Sequence, residues 1–451
     1  MNSNDENVIR PVHYLGSKLR MLDSVKEAVD SIELTGGCIC DLFSGSGTIS
    51  NYFLNYRDVV AIDIQNYSKV LCEASMSHIE EAPEIEQLIN EMQNDRTCAT
   101  VKKVFSGLIE YENSCIKKAK NGELEDLYEI IEKGSLYIFL KNEAIGLSDR
   151  FANEIFNTCE ELKNNLMQSS EDTMITRYFG GLYFSYAQAV EMDCIAHIVF
   201  KKEGLLKIKM LAALLSTASE VVNTIGKQFA QPLKVRDSNG NLKSSLAKKI
   251  LNDRNDSVLE IYIKWISFYF SVEKKEHEYR AISADYLEGL EQLKDSQVKV
   301  IYADPPYTRY HYSRYYHVLE TICLRDNPNV STTFAGNKGG ISRAIYREDR
   351  HQSPFCIKSQ AEIAFNKMFE KISELNVPLV LSYSPFDASR AVTPRLQTIE
   401  QLVNKALNYF DKVEVISPGE FTHSKLNSTD KNFEANHEAE LLIVCKNIIK
   451  E

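Results

Sequence analysis

The chain has 451 residues, 44% hydrophobic and 25% charged, the balance of a globular protein that buries a full core. Its formal charge of −11 counts against a broadly basic nucleic-acid binder, although seven basic residues face two acidic ones between Gly226 and Arg254 and leave room for a local patch. No apolar run reaches the roughly 18 residues of a bilayer span, the start "MNSNDENVIRP" carries no secretory signal, and ten cysteines form neither a CxxC pair nor a zinc-ligand cluster, so a cytoplasmic protein with reduced thiols, no membrane partner and no metal is expected.

The first predicted strand, residues 37–43, runs into "DLFSGSGT". Glycines at the carboxyl end of a first strand let the backbone approach a ligand, and the helix start that follows offers free N–H groups. The second strand, 58–63, ends in Asp63, 18 residues after Gly45, where an acid can take both hydroxyls of a ribose. Together these features suggest an adenosine-containing ligand; a tight turn with a capping aspartate would look similar.

From there to about residue 277 the apolar period is helical, too long a stretch to be a loop, and an inserted domain is expected. Within it "PLKVRDSNGNLKSS" places Asn-Gly between two possible strand arms, a hairpin signal, and this ribbon would carry Lys234, Arg236 and Lys243 toward a DNA groove, with Lys227 nearby. The single Trp265 reads as core of this domain.

Further β-branched runs follow at 278–283, 298–303, 377–383, 412–417 and 439–446, with helices predicted over 361–375 and 398–410. Near-continuous apolar strands separated by helices indicate a parallel sheet buried on both faces. The last two strands lack an intervening helix, which allows antiparallel pairing at that edge.

Strand 298–303 ends in Asp304, Pro305, Pro306 and Tyr307. The prolines stiffen the backbone and remove two donors, leaving a rigid corner of acceptors on the sheet edge that carries the glycine loop. Such a corner suits an exocyclic amine on a base. The amine lone pair is delocalised into the ring, and hydrogen bonds from both amine protons, to the Asp304 carboxylate and the Pro305 carbonyl, favour the tetrahedral nitrogen that attack on a methyl requires. Tyr307 would stack on the base. Thr308, Arg309, Tyr310, Tyr312, Arg314 and Tyr315 would form the pocket's lip, with arginines for phosphates, unless the tyrosines are the core face of a helix. The basic, glycine-rich loop 329–355 would close over DNA or is a long solvated loop.

These motifs resemble the α-class (D12-type) DNA N6-adenine methyltransferases that use S-adenosylmethionine. The resemblance matches "HYLGSK", with Tyr14, Gly16 and Lys18, to the family's amino-terminal motif. It matches Asp41, Phe43, Ser44, Gly45 and Gly47 to the glycine motif, and Asp304-Pro305-Pro306-Tyr307 to the catalytic motif. Asp285-Tyr286 takes the place of a pair that contacts the cofactor's adenine. One departure is Tyr14, where many relatives carry tryptophan.

The resemblance implies an α/β, Rossmann-like seven-stranded methyltransferase sheet from residues 1–72 and 276–451, with a helical target-recognition insertion at 73–275. It implies S-adenosylmethionine as cofactor, flipped adenine in double-stranded DNA as substrate, and a cognate restriction nuclease or defence proteins as partners. Cytosine N4 or RNA as acceptor, and a non-catalytic DNA-binding relative, remain the alternatives; a nicotinamide dehydrogenase leaves Asp304 to Tyr307 unexplained.

Overall fold

Seven of the apolar runs pair into one sheet: β1 (Cys38–Leu42), β2 (Val59–Asp63), β3 (Tyr279–Ser283), β4 (Val298–Ala303), β5 (Leu379–Tyr383), β6 (Phe410–Ile416) and β7 (Leu441–Ile448). The computed structural model describes residues 10–13, 18–141, 146–335, 338–385, 395–418 and 440–449. Strand order is β3-β2-β1-β4-β5-β7-β6. The first five strands are parallel, and β7 enters antiparallel between β5 and β6. The expected antiparallel pair is present, and β7 pairs with β5 as well.

Both faces of the sheet are covered, which is why the strands read as continuous apolar runs. Alternate residues point to opposite sides. On one side Ile39, Val300, Tyr302 and Val380 meet Val25 and Val29 of α1 (Leu22–Asp30) and Phe53 of α2 (Thr48–Phe53). On the other Leu42, Ile301 and Leu381 meet Leu290 of α4 (Tyr286–Glu291), Phe365 and Phe369 of α5 (Ala361–Glu374) and Leu402 of α6 (Ile399–Ala406). The remaining crossover helix, α3 (Asn66–Met76), follows β2. Order reverses between β1 and β4, so the carboxyl ends of β1, β2 and β4 open onto a switch point where such sheets bind ligands.

The chain divides into two compact units, residues 1–78, 272–313 and 351–451 around the sheet, and residues 79–271 with 314–350. The sequence reading places the insertion at 73–275 and 314–350 with the sheet, whereas the second compact unit comprises 79–271 and 314–350. It is helical around a core that includes Phe105, Tyr128, Phe151 and Tyr186. Trp265 is buried there and donates to Glu220 at 2.8 Å.

The two strand arms expected around Asn239-Gly240 do not form; a single bridge joins Arg236 and Leu242. Asp237 Oδ1 accepts from the N–H groups of Asn239 and Asn241 at 2.8 and 2.9 Å, a local turn that competes with a ladder. Leu233 and Val235 are packed into the helical core. No described helix is long and apolar enough to cross a membrane.

Candidate functional site

The loop after β1 is tightly wound. Phe43, Gly45 and Gly47 all have positive φ, at 73°, 54° and 78°. Phe43 and Ser44 donate their N–H groups to the Ile62 carbonyl at 2.9 and 3.0 Å, and Gly45 N–H donates to Asp63 Oδ2 at 2.9 Å. Asp63 Oδ1 accepts from Gln65 N–H at 2.9 Å, so the carboxylate at the end of β2 is fixed by backbone on both sides. A Cβ at Gly47 would lie 2.9 Å from Cys72 Sγ. Asp41 is buried and accepts from Ser50 N–H and Oγ at 3.0 and 2.5 Å, fastening the first turn of α2 to β1. Burial pushes its carboxyl up to about 7, the Ser50 bonds opposing and the charge of Asp304 adding.

Beside this loop lies an open cavity of about 790 Å³, a volume that includes the solvent at its mouth. Phe43, Tyr286 and Phe355 wall it: the Phe43 and Tyr286 rings stack at 6.0 Å, and Phe355 stands edge-on to them at 5.3 and 4.9 Å. Asp63, Asp285 and Asp304, each at or just beyond the carboxyl end of a strand, line it as well. Asp285 also caps α4, accepting from Leu287 N–H at 3.0 Å. His351 completes the rim; burial lowers its proton affinity and the nearby Asp285 opposes this. Acids over an aromatic slot match a nucleoside with hydroxyls on one end and a flat base on the other.

Asp304 follows β4 and is held by a buried cation. Lys18 Nζ lies 2.9 Å from Asp304 Oδ2 and 2.6 Å from Glu440 Oε2. Glu440, at the foot of β7, also accepts from Tyr307 Oη at 3.2 Å and Ser382 Oγ at 2.9 Å. Burial alone would lower the proton affinity of Lys18; the two carboxylates more than reverse this, and its ammonium is held well above the usual lysine range. Pro306 lines the cavity and Pro305 is buried. The Tyr307 ring has the Arg395 guanidinium 4.6 Å from its centroid and the edge of Tyr383 at 5.5 Å.

Of the residues singled out from sequence, Phe43, Asp63, Asp285, Tyr286, Asp304 and Pro306 meet at one cavity, while Asp41 and Gly47 shape its floor from behind. Tyr14 and Gly16 lie outside the described residues. In the helical unit, Lys227 pairs with Asp253 at 3.1 Å and Arg236 with Glu125 and Glu132, so two of the four expected DNA-facing cations already have carboxylates. Lys243 Nζ donates to the Lys234 carbonyl at 3.1 Å, and Lys234 is exposed. Arg309 and Tyr310 are exposed, whereas Tyr316 and His317 are buried core, so the tyrosine run divides between the two readings.

Sequence reasoning missed Glu440, Arg395, His351 and Phe355 as parts of the site. Glu440 precedes an apolar run and reads as an ordinary strand boundary; its partner Lys18 is 422 positions away. The only local signal for Phe355 is an aromatic placed directly after Ser-Pro.

Residues 14–158 match the family described as D12 class N6 adenine-specific DNA methyltransferase. The chain is similar to the modification methylase LlaI of Lactococcus lactis subsp. lactis, 22% identical across 96% of this chain and 55% of that protein. It is also similar to the type II methyltransferase M.FokI of Planomicrobium okeanokoites, 23% identical across 83% of this chain and 44% of that protein. The chain therefore spans about half the length of these curated relatives. No solved structure matches it. With the glycine loop, the Asp304 corner and the sheet order in agreement, the chain is similar to the D12 class N6 adenine-specific DNA methyltransferases.

Proposed function

We propose that the chain methylates N6 of adenine in double-stranded DNA, with S-adenosylmethionine as donor, as the modification half of a restriction-modification system. The observation that carries this reading is Asp304 on the wall of an aromatic, acid-lined cavity, with its carboxylate oriented by a buried lysine. The cavity lining fits the cofactor's adenosine: Asp63 would take the ribose hydroxyls, and Phe43, Tyr286 and Phe355 would hold the purine beside Asp285. Bound S-adenosylmethionine supplies an electrophilic methyl group on a sulfonium.

The chain's own residues do the rest. A paired adenine hides its amine in the duplex, so the target base leaves the stack and enters the corner. The Asp304 carboxylate and the Pro305 carbonyl accept the two N6 protons, drawing the nitrogen lone pair out of the ring. As the N6–carbon bond forms and the sulfur–carbon bond breaks, positive charge develops on N6 beside Asp304, which then takes up the surplus proton. Tyr307 orients the base; its own position is fixed by Glu440 and Arg395.

Replacement of Asp304 tests this assignment. Asp304→Ala should lower methyl transfer by at least about 100-fold while S-adenosylmethionine binding, followed by equilibrium dialysis, changes little. Glu440 still neutralises Lys18 in this variant, so the fold survives. Parallel loss of binding and transfer would refute the role given to Asp304.

A further inference from the structure

In the helical unit two arginines share one tyrosine ring. The Arg314 guanidinium lies 5.2 Å from the Tyr346 centroid and donates to Tyr346 Oη at 3.2 Å; the Arg350 guanidinium lies 5.4 Å from the same centroid. Tyr346 is buried, its hydroxyl donates to the Ala230 carbonyl, and His317 packs against it at 4.9 Å, so the ring is a fixed platform.

The charge here is uncompensated. Arg347 in the same segment is paired with Asp326 and Asp349 at 2.7 and 2.9 Å, yet neither Arg314 nor Arg350 has a carboxylate partner among the described residues. Arg350 Nη1 is buried and meets no acceptor. His317, beneath the ring, is pushed down to about 3, first by burial and then by Arg350, Arg347 and Arg314, as a locally positive field requires. Two half-buried cations without a counter-charge are costly unless a ligand provides one, and paired guanidinium forks suit the oxygens of a phosphate. In sequence Arg314 directly follows Ser313 and Arg350 directly precedes His351. Those two residues line the aromatic cavity of the sheet unit, and the Ser313 hydroxyl donates to the His351 carbonyl.

We propose that Arg314 and Arg350, held over Tyr346, grip one backbone phosphate of the DNA substrate. The proposal rests on the reading of the chain as a DNA methyltransferase. Its test is the salt dependence of binding to a fluorescent duplex, measured on the whole chain for the wild type, Arg314→Gln, Arg350→Gln, the double variant and Arg350→Lys. Each Gln variant should weaken binding about tenfold at low salt and flatten the log–log salt slope by about 0.9. The double variant should flatten it no further, because a single phosphate is lost, and Arg350→Lys should keep the wild-type slope.

Wild-type slopes in both Gln variants, with the wild type methylating DNA, would overturn this inference and leave the function standing. A lysine variant that loses slope and melting temperature together would make the guanidinium a packing group and overturn it too. Inorganic phosphate binding that the Gln variants lose without any change in duplex slope would make this a site for a free ion and refute the proposal. A wild type that neither binds nor methylates DNA would remove the underlying reading and the phosphate site with it.

Discussion

Lys18 divides its ammonium between Asp304 and Glu440, and under the proposed function this division would set how freely the Asp304 carboxylate accepts from the target amine. Glu440→Gln removes one of the two charges, concentrating Lys18 on Asp304 and loosening the hydroxyl of Tyr307. The expected result is a kcat lower by about tenfold with KM for S-adenosylmethionine nearly unchanged, and a stability loss of about 1–3 kcal/mol on chemical unfolding. An unchanged kcat would mean that Glu440 only packs. Asp41 gives a pH signature. Its folded-state pKa, near 7, lies above the roughly 4 of an unfolded aspartate. The folded state therefore binds this proton more tightly, and the favourable contribution is complete below about pH 4 and is lost as pH rises through about 7. Asp41→Asn stays neutral, so its melting temperature should fall less than that of the wild type between pH 5 and 8; parallel pH profiles would contradict the burial argument.

Among the elements, the glycine loop is the most constrained. Gly47 combines a φ of 78° with a space already taken by Cys72. Gly47→Ala should cost about 1–3 kcal/mol in denaturant unfolding. Adding Cys72→Ala should recover the steric part alone, and full recovery would show that the backbone angle is not strained. This loop was legible in the sequence because its glycines sit at fixed spacing between an apolar strand and a helix. The strands were legible for a related reason: burial on both faces writes an uninterrupted β-branched run, and each of the seven expected segments contains or overlaps a strand. The Asn239-Gly240 arms were misread because turn chemistry marks where a chain reverses and does not decide whether a ladder follows. There Asp237 closes the turn locally, and the flanking Leu233 and Val235 are packed into the helical core.

At the scale of the molecule, what the sequence conceals is what folding brings together from far apart. The cavity gathers residues from five segments, around Phe43, Asp63, Tyr286, Asp304 and Phe355, and the last of these had no site residue singled out from sequence. The Lys18–Glu440 pair joins residues 422 positions apart; Lys18 sits in the amino-terminal motif, but Glu440 has no local pattern to mark it. The change of hydrophobic period suggested an inserted unit, yet it gave no sign that 314–350 groups with the helical unit, because the helical period around His317–Leu324 does not say which unit that helix packs into. The overall acidity, −11, does not by itself decide for or against a nucleic-acid partner, since charge acts through where it is placed. The measurement that tests the whole account most directly is incubation of the purified chain with tritiated S-adenosylmethionine and unmethylated double-stranded DNA, followed by nucleoside analysis. Label in N6-methyladenine is the predicted result. Label in N4-methylcytosine alone, or none in DNA under conditions where the cofactor binds, would contradict it.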